Sequence, residues 1–375
     1  MSEPRTVSCT WIEQPAEVTE LGTLMAEHDE HGIDTESNSG FAYFERLCLL
    51  QVAVADRLFV VDLIALGDEG GSLEPLRPAL ESATIRTCLH GGEFDAACLR
   101  RDFGIELDGV WDTQQAASLL GWPKTGYGTV VEELCGVTLA KQFSLHDWSR
   151  RPVDPRALEY AINDVRYLPD VCRRLSAEVE RKGIEEEVEL ASRAVAETQW
   201  NGGFQLANFW RVKGVRALPA DVQAVLFALY TWRDERARVE DRPPGRLLHD
   251  QILLALARRP PQDASGLRRR GVRRHAADRY GGELLEVLAD AKRQPPTPPP
   301  APEPRRTSFD ERRRSERLRN WRRQEAERRR VTEQVVLPTK ALNELSRRGA
   351  ERLEEIAQLG DKRIRLYGDE LRRLC

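Results

Sequence analysis

HGIDTES, residues 31–37, is followed nine residues on by RLCLLQVAVADRLFVVDLIAL, residues 46–66. The long run is rich in Val, Leu and Phe and is interrupted by a short polar ADR, so it reads as two strands joined in a hairpin. HGIDTES reads as a further strand beside them. Residues i and i+2 of a strand point to the same face, which places Asp34 and Glu36 side by side. Neighbouring carboxylates repel, and burying them is costly unless something pairs with them.

Further along, TIRTCLHG reads as another short strand, and PLRPALES, EFDAACLRRDFG and DTQQAASLLG read as helices. Gly104 and Gly121 follow the last two, a common way for a helix to stop. Strands interleaved with helices argue for an α/β layer fold. At Asp154 the pattern changes. Asp154-Pro155 combines an N-cap with proline at the first helical position, and RALEYAINDVRYLPDVCRRLSAEVERKG continues as helix, with a bend expected at Pro169. Beyond it the chain reads as helical.

KRQPPTPPPAPEPRR, residues 292–306, carries seven prolines and reads as an extended, semi-rigid linker. A repeat flanks it. TWRDERA (231–237) is echoed 89 residues later by NWRRQEA (320–326), and LLALARR (253–259) by LNELSRR (342–348) at the same offset. RYGGELL (279–285) is echoed by LYGDELR (366–372), now 87 residues on. Three blocks in one order argue for two copies of one helical module. The expected boundaries are 1–185 for the α/β domain, 186–216 for a connecting helical segment, 217–291 for the first module, 292–306 for the linker and 307–375 for a second, shorter module.

The net charge of −4 hides an asymmetry. Residues 1–250 hold 26 Lys and Arg against 42 Asp and Glu, a balance of −16; residues 251–375 hold 31 against 19, a balance of +12. The basic part suits a polyanion and the acidic part suits cations. No apolar run is long enough for a membrane span, and the N-terminus has neither a basic start nor an apolar signal core. The seven cysteines are scattered without a CxxC pair, which reads as reduced, buried thiols in a cytosolic protein.

Two more acids stand out. Asp95 in LHGGEFDAACLRRDFGI falls near a helix start, and Tyr160 and Asp164 in EYAINDVRYL lie four apart on one helix face. Taken singly, each has an ordinary structural reading. Together they make four acids and a tyrosine spread over three segments, a set that needs divalent cations to neutralise it; oxygen donors suit Mg²⁺ or Mn²⁺.

Asp34-x-Glu36, Asp95 and Tyr160-x-x-x-Asp164 resemble the DEDD 3′–5′ exonucleases of the tyrosine subtype. CLLQVA, HGGEFD, VWDTQQAASLLG, VVEELCGVTLAKQ and DWSRRP agree with the pattern of ribonuclease D and its relatives over roughly residues 10–180. The repeated module looks like the helicase-and-ribonuclease-D C-terminal (HRDC) domain. The resemblance implies a ribonuclease H-like α/β domain, a mixed sheet flanked by helices, followed by all-α HRDC-like modules. It implies two divalent ions held by Asp34, Glu36, Asp95 and Asp164. Asp34 would bridge them, Glu36 and Asp164 would hold the ion that activates water, Asp95 would support the other, and Tyr160 would orient the water. The product would be nucleoside 5′-monophosphates, released from RNA such as transfer RNA precursors.

An acidic front half should repel a phosphate backbone, and the arginine runs offer a remedy. The candidates for nucleic-acid contact are Arg268, Arg269, Arg270, Arg273, Arg274, Arg322 and Arg323. The other reading of 311–330 is a solvated helix with internal Glu–Arg pairs. Trp321 reads as a core residue because Trp232 matches it. RNA and single-stranded DNA stay open as substrates, since nothing isolates a 2′-hydroxyl contact. A silent nucleic-acid-binding scaffold is the non-enzymatic alternative; the intact set of five weighs against it. No membrane attachment and no obligate protein partner are expected.

Overall fold

The computed structural model describes residues 9–67, 73–140, 143, 146–303 and 305–375. Residues 1–8 of the expected first domain, Lys141 and Gln142 of the VVEELCGVTLAKQ block, and Pro304 of the linker lie outside the described residues.

The chain opens with β1 (Cys9–Ile12), α1 (Pro15–Ala26), β2 (Glu30–Ser37), β3 (Leu47–Val54) and β4 (Arg57–Asp62). Then come α2 (Arg77–Leu80), β5 (Arg86–Leu89), α3 (Glu93–Phe103), β6 (Val110–Asp112), α4 (Thr113–Leu120) and α5 (Tyr127–Cys135). The helices α6 (Pro155–Arg166), α7 (Leu168–Lys182) and α8 (Glu185–Ala196) follow. Among the described residues the strands form one sheet in the order β1-β4-β3-β2-β5-β6. β3 is antiparallel to both β2 and β4, while β1–β4, β2–β5 and β5–β6 are parallel.

The sheet is mixed because a tight hairpin needs almost no chain whereas a parallel return needs a crossover. The β3–β4 turn consists of Ala55 and Asp56, both at positive φ (51° and 57°), which matches the twist of the strands it joins. LCLLQVAV is apolar almost throughout because both of its faces are covered. Leu50, Val52 and Val54 share a core with Val18, Leu21 and Met25 of α1. Leu49 and Ala53 pack with Ala157, Ala161, Ile162 and Val165 of α6. Each fully buried Val, Leu, Ile or Met among them contributes roughly 1.5–3 kcal/mol.

Asp154 caps α6 by accepting from the N–H of Arg156 at 2.8 Å. At Pro169 the expected bend is a break: α6 ends at Arg166 and α7 begins at Leu168 with proline in its first turn. Proline has no N–H to give and crowds the carbonyl four residues back.

The remaining helices are α9 (Ala220–Val239), α10 (Pro244–Leu247), α11 (Asp250–Arg258), α12 (Ala264–Arg269) and α13 (Arg274–Arg293), then α14 (Phe309–Arg329), α15 (Glu333–Val336), α16 (Thr339–Arg348) and α17 (Gly360–Leu374). The two copies of the module repeat the same contacts. Trp232 meets Tyr280 edge-on at 5.9 Å, and Trp321 meets Tyr367 edge-on at 5.2 Å. Arg233 donates to the Leu248 carbonyl at 2.7 Å, and Arg322 to the Leu337 carbonyl at 3.2 Å. The second copy has its own core, including Leu318, Leu342, Leu345, Leu353 and Leu371.

The chain divides into two compact units that do not follow sequence order. Residues 38–45 and 201–305 form one; residues 1–37, 46–200 and 306–375 form the other. In the first, the Tyr43 hydroxyl donates to Asp234 at 3.0 Å, and the linker is held through Trp210 Nε1 to the Pro299 carbonyl at 2.9 Å. In the second, the C-terminal module packs on the α/β domain. Val335 joins Ala116, Val130, Val131 and Val188 in one cluster, and Lys362 Nζ meets Glu187 at 2.7 Å. None of the seven cysteines is in a disulfide; Cys48, Cys88, Cys98 and Cys172 are buried as expected, whereas Cys9, Cys135 and Cys375 are partly exposed, and no described helix is long and apolar enough to cross a membrane.

Candidate active site

β2 pairs with β3 so that Asp34 stands opposite Gln51 and Glu36 opposite Leu49. That register turns both acids toward the face covered by α6. α6 presents Asp164 one turn after Tyr160 on the same side. Carboxylate oxygens of Asp34, Glu36 and Asp164 lie within 4.8 Å of one another.

Asp95 stands outside that trio, in the first turn of α3 and 8 % exposed. Its Oδ1 accepts from the Thr35 N–H at 3.0 Å and the Thr35 hydroxyl at 2.5 Å. Thr35 thus couples the Asp34-x-Glu36 strand to Asp95 and leaves Oδ2 as its available donor atom.

Two further carboxylates, which sequence reasoning did not single out, build this arrangement. Asp112 is fully buried. Its Oδ2 accepts from the N–H groups of Gly91 and Gly92 at 2.7 and 2.9 Å, while its Oδ1 caps α4 through the Gln115 N–H at 2.9 Å. It therefore ties β6 to the glycine turn from which α3 and Asp95 start. Gly91 sits at φ +70°, where a side chain is disfavoured. An Asp directly before a helical run, in WDTQQ, was the signal available for Asp112. Asp62 is the other. It receives Arg151 through two N–H groups, each at 2.6 Å, and Arg151 also reaches the carbonyls of Trp148 and Cys48. This pairing fixes DWSRRP against the sheet, and Trp148 stacks near Tyr160 at 6.4 Å with Phe143 at 6.2 Å.

The electrostatics follow from crowding. Burial, then the charges of Asp95, Asp164 and Glu36, hold Asp34 well above the usual carboxylate range. Burial, then Asp164 and Asp95, do the same to Glu36. Burial pushes Asp164 up to about 7, opposed by a hydrogen bond from Tyr160. Burial also raises Asp95, with the Thr35 hydrogen bonds opposing. Tyr160 is raised by burial and by the neighbouring acids, so its hydroxyl stays protonated at neutral pH. Four such carboxyls cannot all ionise without a compensating charge. The donor set is oxygen only, which fits hard divalent cations.

The arginines fall into two groups. Arg268, Arg269, Arg273, Arg274 and Arg323 are exposed, and Arg270 is partly exposed, donating to the Arg259 carbonyl at 3.1 Å. Arg322, also expected to contact nucleic acid, is only partly exposed. Its guanidinium is bound to Glu333 at 2.6 Å and to the Leu337 carbonyl, and its side chain is 14 % exposed. It matches Arg233, which is built into the first module in the same way, so the repeat assigns it to the fold.

A family model described as 3′–5′ exonuclease matches residues 9–180, and an HRDC domain model matches residues 222–288 and 311–375. The chain is 32% identical over 283 residues to a ribonuclease D of Acidiphilium cryptum, covering 72% of this chain and 70% of that one. It is 30% identical over 262 residues to a ribonuclease D of Xanthomonas oryzae pv. oryzae, covering 68% and 70%. The fold is similar to that of Escherichia coli RNase D, described as an exoribonuclease involved in structured RNA processing. There the TM-score is 0.69 at 24% identity, over 98% of each chain.

Proposed function

The chain belongs to the ribonuclease D family of 3′–5′ exoribonucleases, and we propose that it trims the 3′ ends of stable RNA precursors, transfer RNA among them, one nucleotide at a time. The observation that carries this reading is the meeting of Asp34, Glu36 and Asp164 within 4.8 Å beside a protonated Tyr160. The enzyme depends on divalent metal. Asp34, Glu36 and Asp164 would hold one ion, and Asp34 with Asp95 a second, as Mg²⁺ or Mn²⁺. Two such ions supply an acidified water and neutralise charge on a leaving oxygen.

The chain's own residues supply position. Thr35 holds Asp95 by one oxygen and so sets the direction of the other. Tyr160, protonated and wedged between Phe143 and Trp148, donates a hydrogen bond to Asp164 and can accept one from a water, but it cannot act as a base at neutral pH. Its role is to orient the attacking water toward phosphorus, with a nucleoside 5′-monophosphate as product. The exposed arginines of the two modules, Arg268, Arg269, Arg273, Arg274 and Arg323, are suited to phosphate contact. Such contact brings affinity without base preference and weakens with salt.

The test uses 5′-labelled single strands of matched RNA and DNA with free 3′-hydroxyls, incubated with Mg²⁺ or Mn²⁺. A ladder shortening from the 3′ end of RNA, abolished by EDTA, is the expected result. A ladder on DNA alone would overturn the substrate assignment, and no ladder on either would overturn the catalytic one.

A further inference from the structure

Gln51 lies in the middle of β3 and is 0 % exposed, yet neither its Nε2 nor its Oε1 has a hydrogen-bond partner. Its companions on that face, Leu49, Ala53, Leu58 and Val60, pack against α6. A buried carboxamide with both ends unpaired destabilises a fold, and an apolar side chain of similar size at the same place would not. Met or Leu would fit the apolar layer without that penalty. The amide therefore calls for a partner that the apolar layer around it does not supply.

The register names the partner. Gln51 stands directly opposite Asp34, and opposite residues of an antiparallel pair share a face, with Cβ atoms about 4.5–5.5 Å apart. An ionised carboxylate has about four lone-pair positions, so one shared between cations can still accept a hydrogen bond. Groups that orient metal ligands from behind are a recurring part of such sites.

We propose that Gln51 is a positioning residue for Asp34: its amide N–H₂ donates to the Asp34 carboxylate when the site is loaded with divalent cations, fixing that carboxylate between them. The inference rests on the cation reading above. Gln51 touches neither RNA nor water in this account; it acts through Asp34. The amide has no partner in the apolar layer around it, so its removal should relieve the fold while weakening cation binding.

The experiment compares wild type, Gln51→Met and Gln51→Leu by two readouts that do not depend on turnover. Mn²⁺ affinity is measured from the electron paramagnetic resonance signal of free Mn²⁺. Melting temperature is measured in EDTA and in saturating Mn²⁺. Both variants are expected to melt in EDTA at or above the wild-type temperature. They are also expected to bind Mn²⁺ at least about ten-fold more weakly and to gain less in melting temperature from it. Variants that bind Mn²⁺ as tightly as wild type would overturn the proposal. So would variants that lose the same melting temperature with and without Mn²⁺, since that is a packing defect alone. A wild-type protein that binds no Mn²⁺ would overturn the cation reading itself, and this inference with it.

Discussion

Stripped of cations, the α/β domain should lose stability as pH rises, and Asp164 should carry a measurable share of the loss. Burial raises its pKa from 3.8 to about 7, with the Asp95 charge adding and the Tyr160 hydrogen bond opposing. A carboxyl raised by folding keeps a proton that the unfolded chain has already released. Its contribution is whole below the unfolded value and is lost as pH climbs through the folded one. Each pH unit in that interval costs about 1.4 kcal/mol. Because the site is partly open and its acids share protons, the whole interval amounts to on the order of 3 kcal/mol. For a domain of this size that is roughly 6–12 °C in melting temperature. His31, fully buried, and His90, partly buried, act in the opposite sense: desolvation pushes both down to about 4, so they add stability as pH rises toward 6.5. The diagnostic quantity is therefore the difference between wild type and Asp164→Asn, in which the histidines cancel. Scanning calorimetry in EDTA should show wild type falling relative to Asp164→Asn between pH 4 and 7.5. Saturating Mn²⁺, which binds the ionised carboxylates, should reverse the trend. A difference that stays constant across that range would refute the claim that the carboxyl is desolvated and crowded.

Asp34→Ala should lower RNA hydrolysis by at least roughly a thousand-fold, with RNA binding in EDTA nearly unchanged in a filter-binding assay. Tyr160→Phe should reduce kcat roughly ten- to hundred-fold without moving the melting temperature of the EDTA form. Lys362→Met leaves Glu187, whose side chain is 1 % exposed, without its cation, and should destabilise the packing of the C-terminal module by about 3 kcal/mol. Adding Glu187→Gln should recover part of that in urea denaturation. Arg268→Ala with Arg269→Ala should flatten the salt dependence of single-stranded RNA binding, by about 0.7 in log–log slope for each phosphate that is no longer neutralised. Arg322→Ala should leave that slope alone and lower stability instead.

Much of the fold and of the site was legible in the order of residues. The hairpin of β3 and β4, the Asp154-Pro155 helix start and the pairs Asp34/Glu36 and Tyr160/Asp164 rest on spacings within one strand, turn or helix, and the repeated Trp and Tyr of the two modules on an internal repeat; joining those pairs with Asp95 into one site rests on the family resemblance. Those spacings act within one strand or one helix, where neighbours along the chain are neighbours in space. The same logic reads Arg322 as solvated because it lies on a basic helix; its match to Arg233 and its bond to the Leu337 carbonyl are visible only in the tertiary structure. The WDTQQ cap signal marked Asp112 as a helix start but not as the support beneath the Gly91–Gly92 turn, and Arg151 on Asp62, Lys362 on Glu187 and the isolation of Gln51 had no local signature. Each joins, or encloses, segments tens to hundreds of residues apart. Such contacts depend on which faces are left to bury once the sheet and helices have packed, and no short-range spacing encodes that.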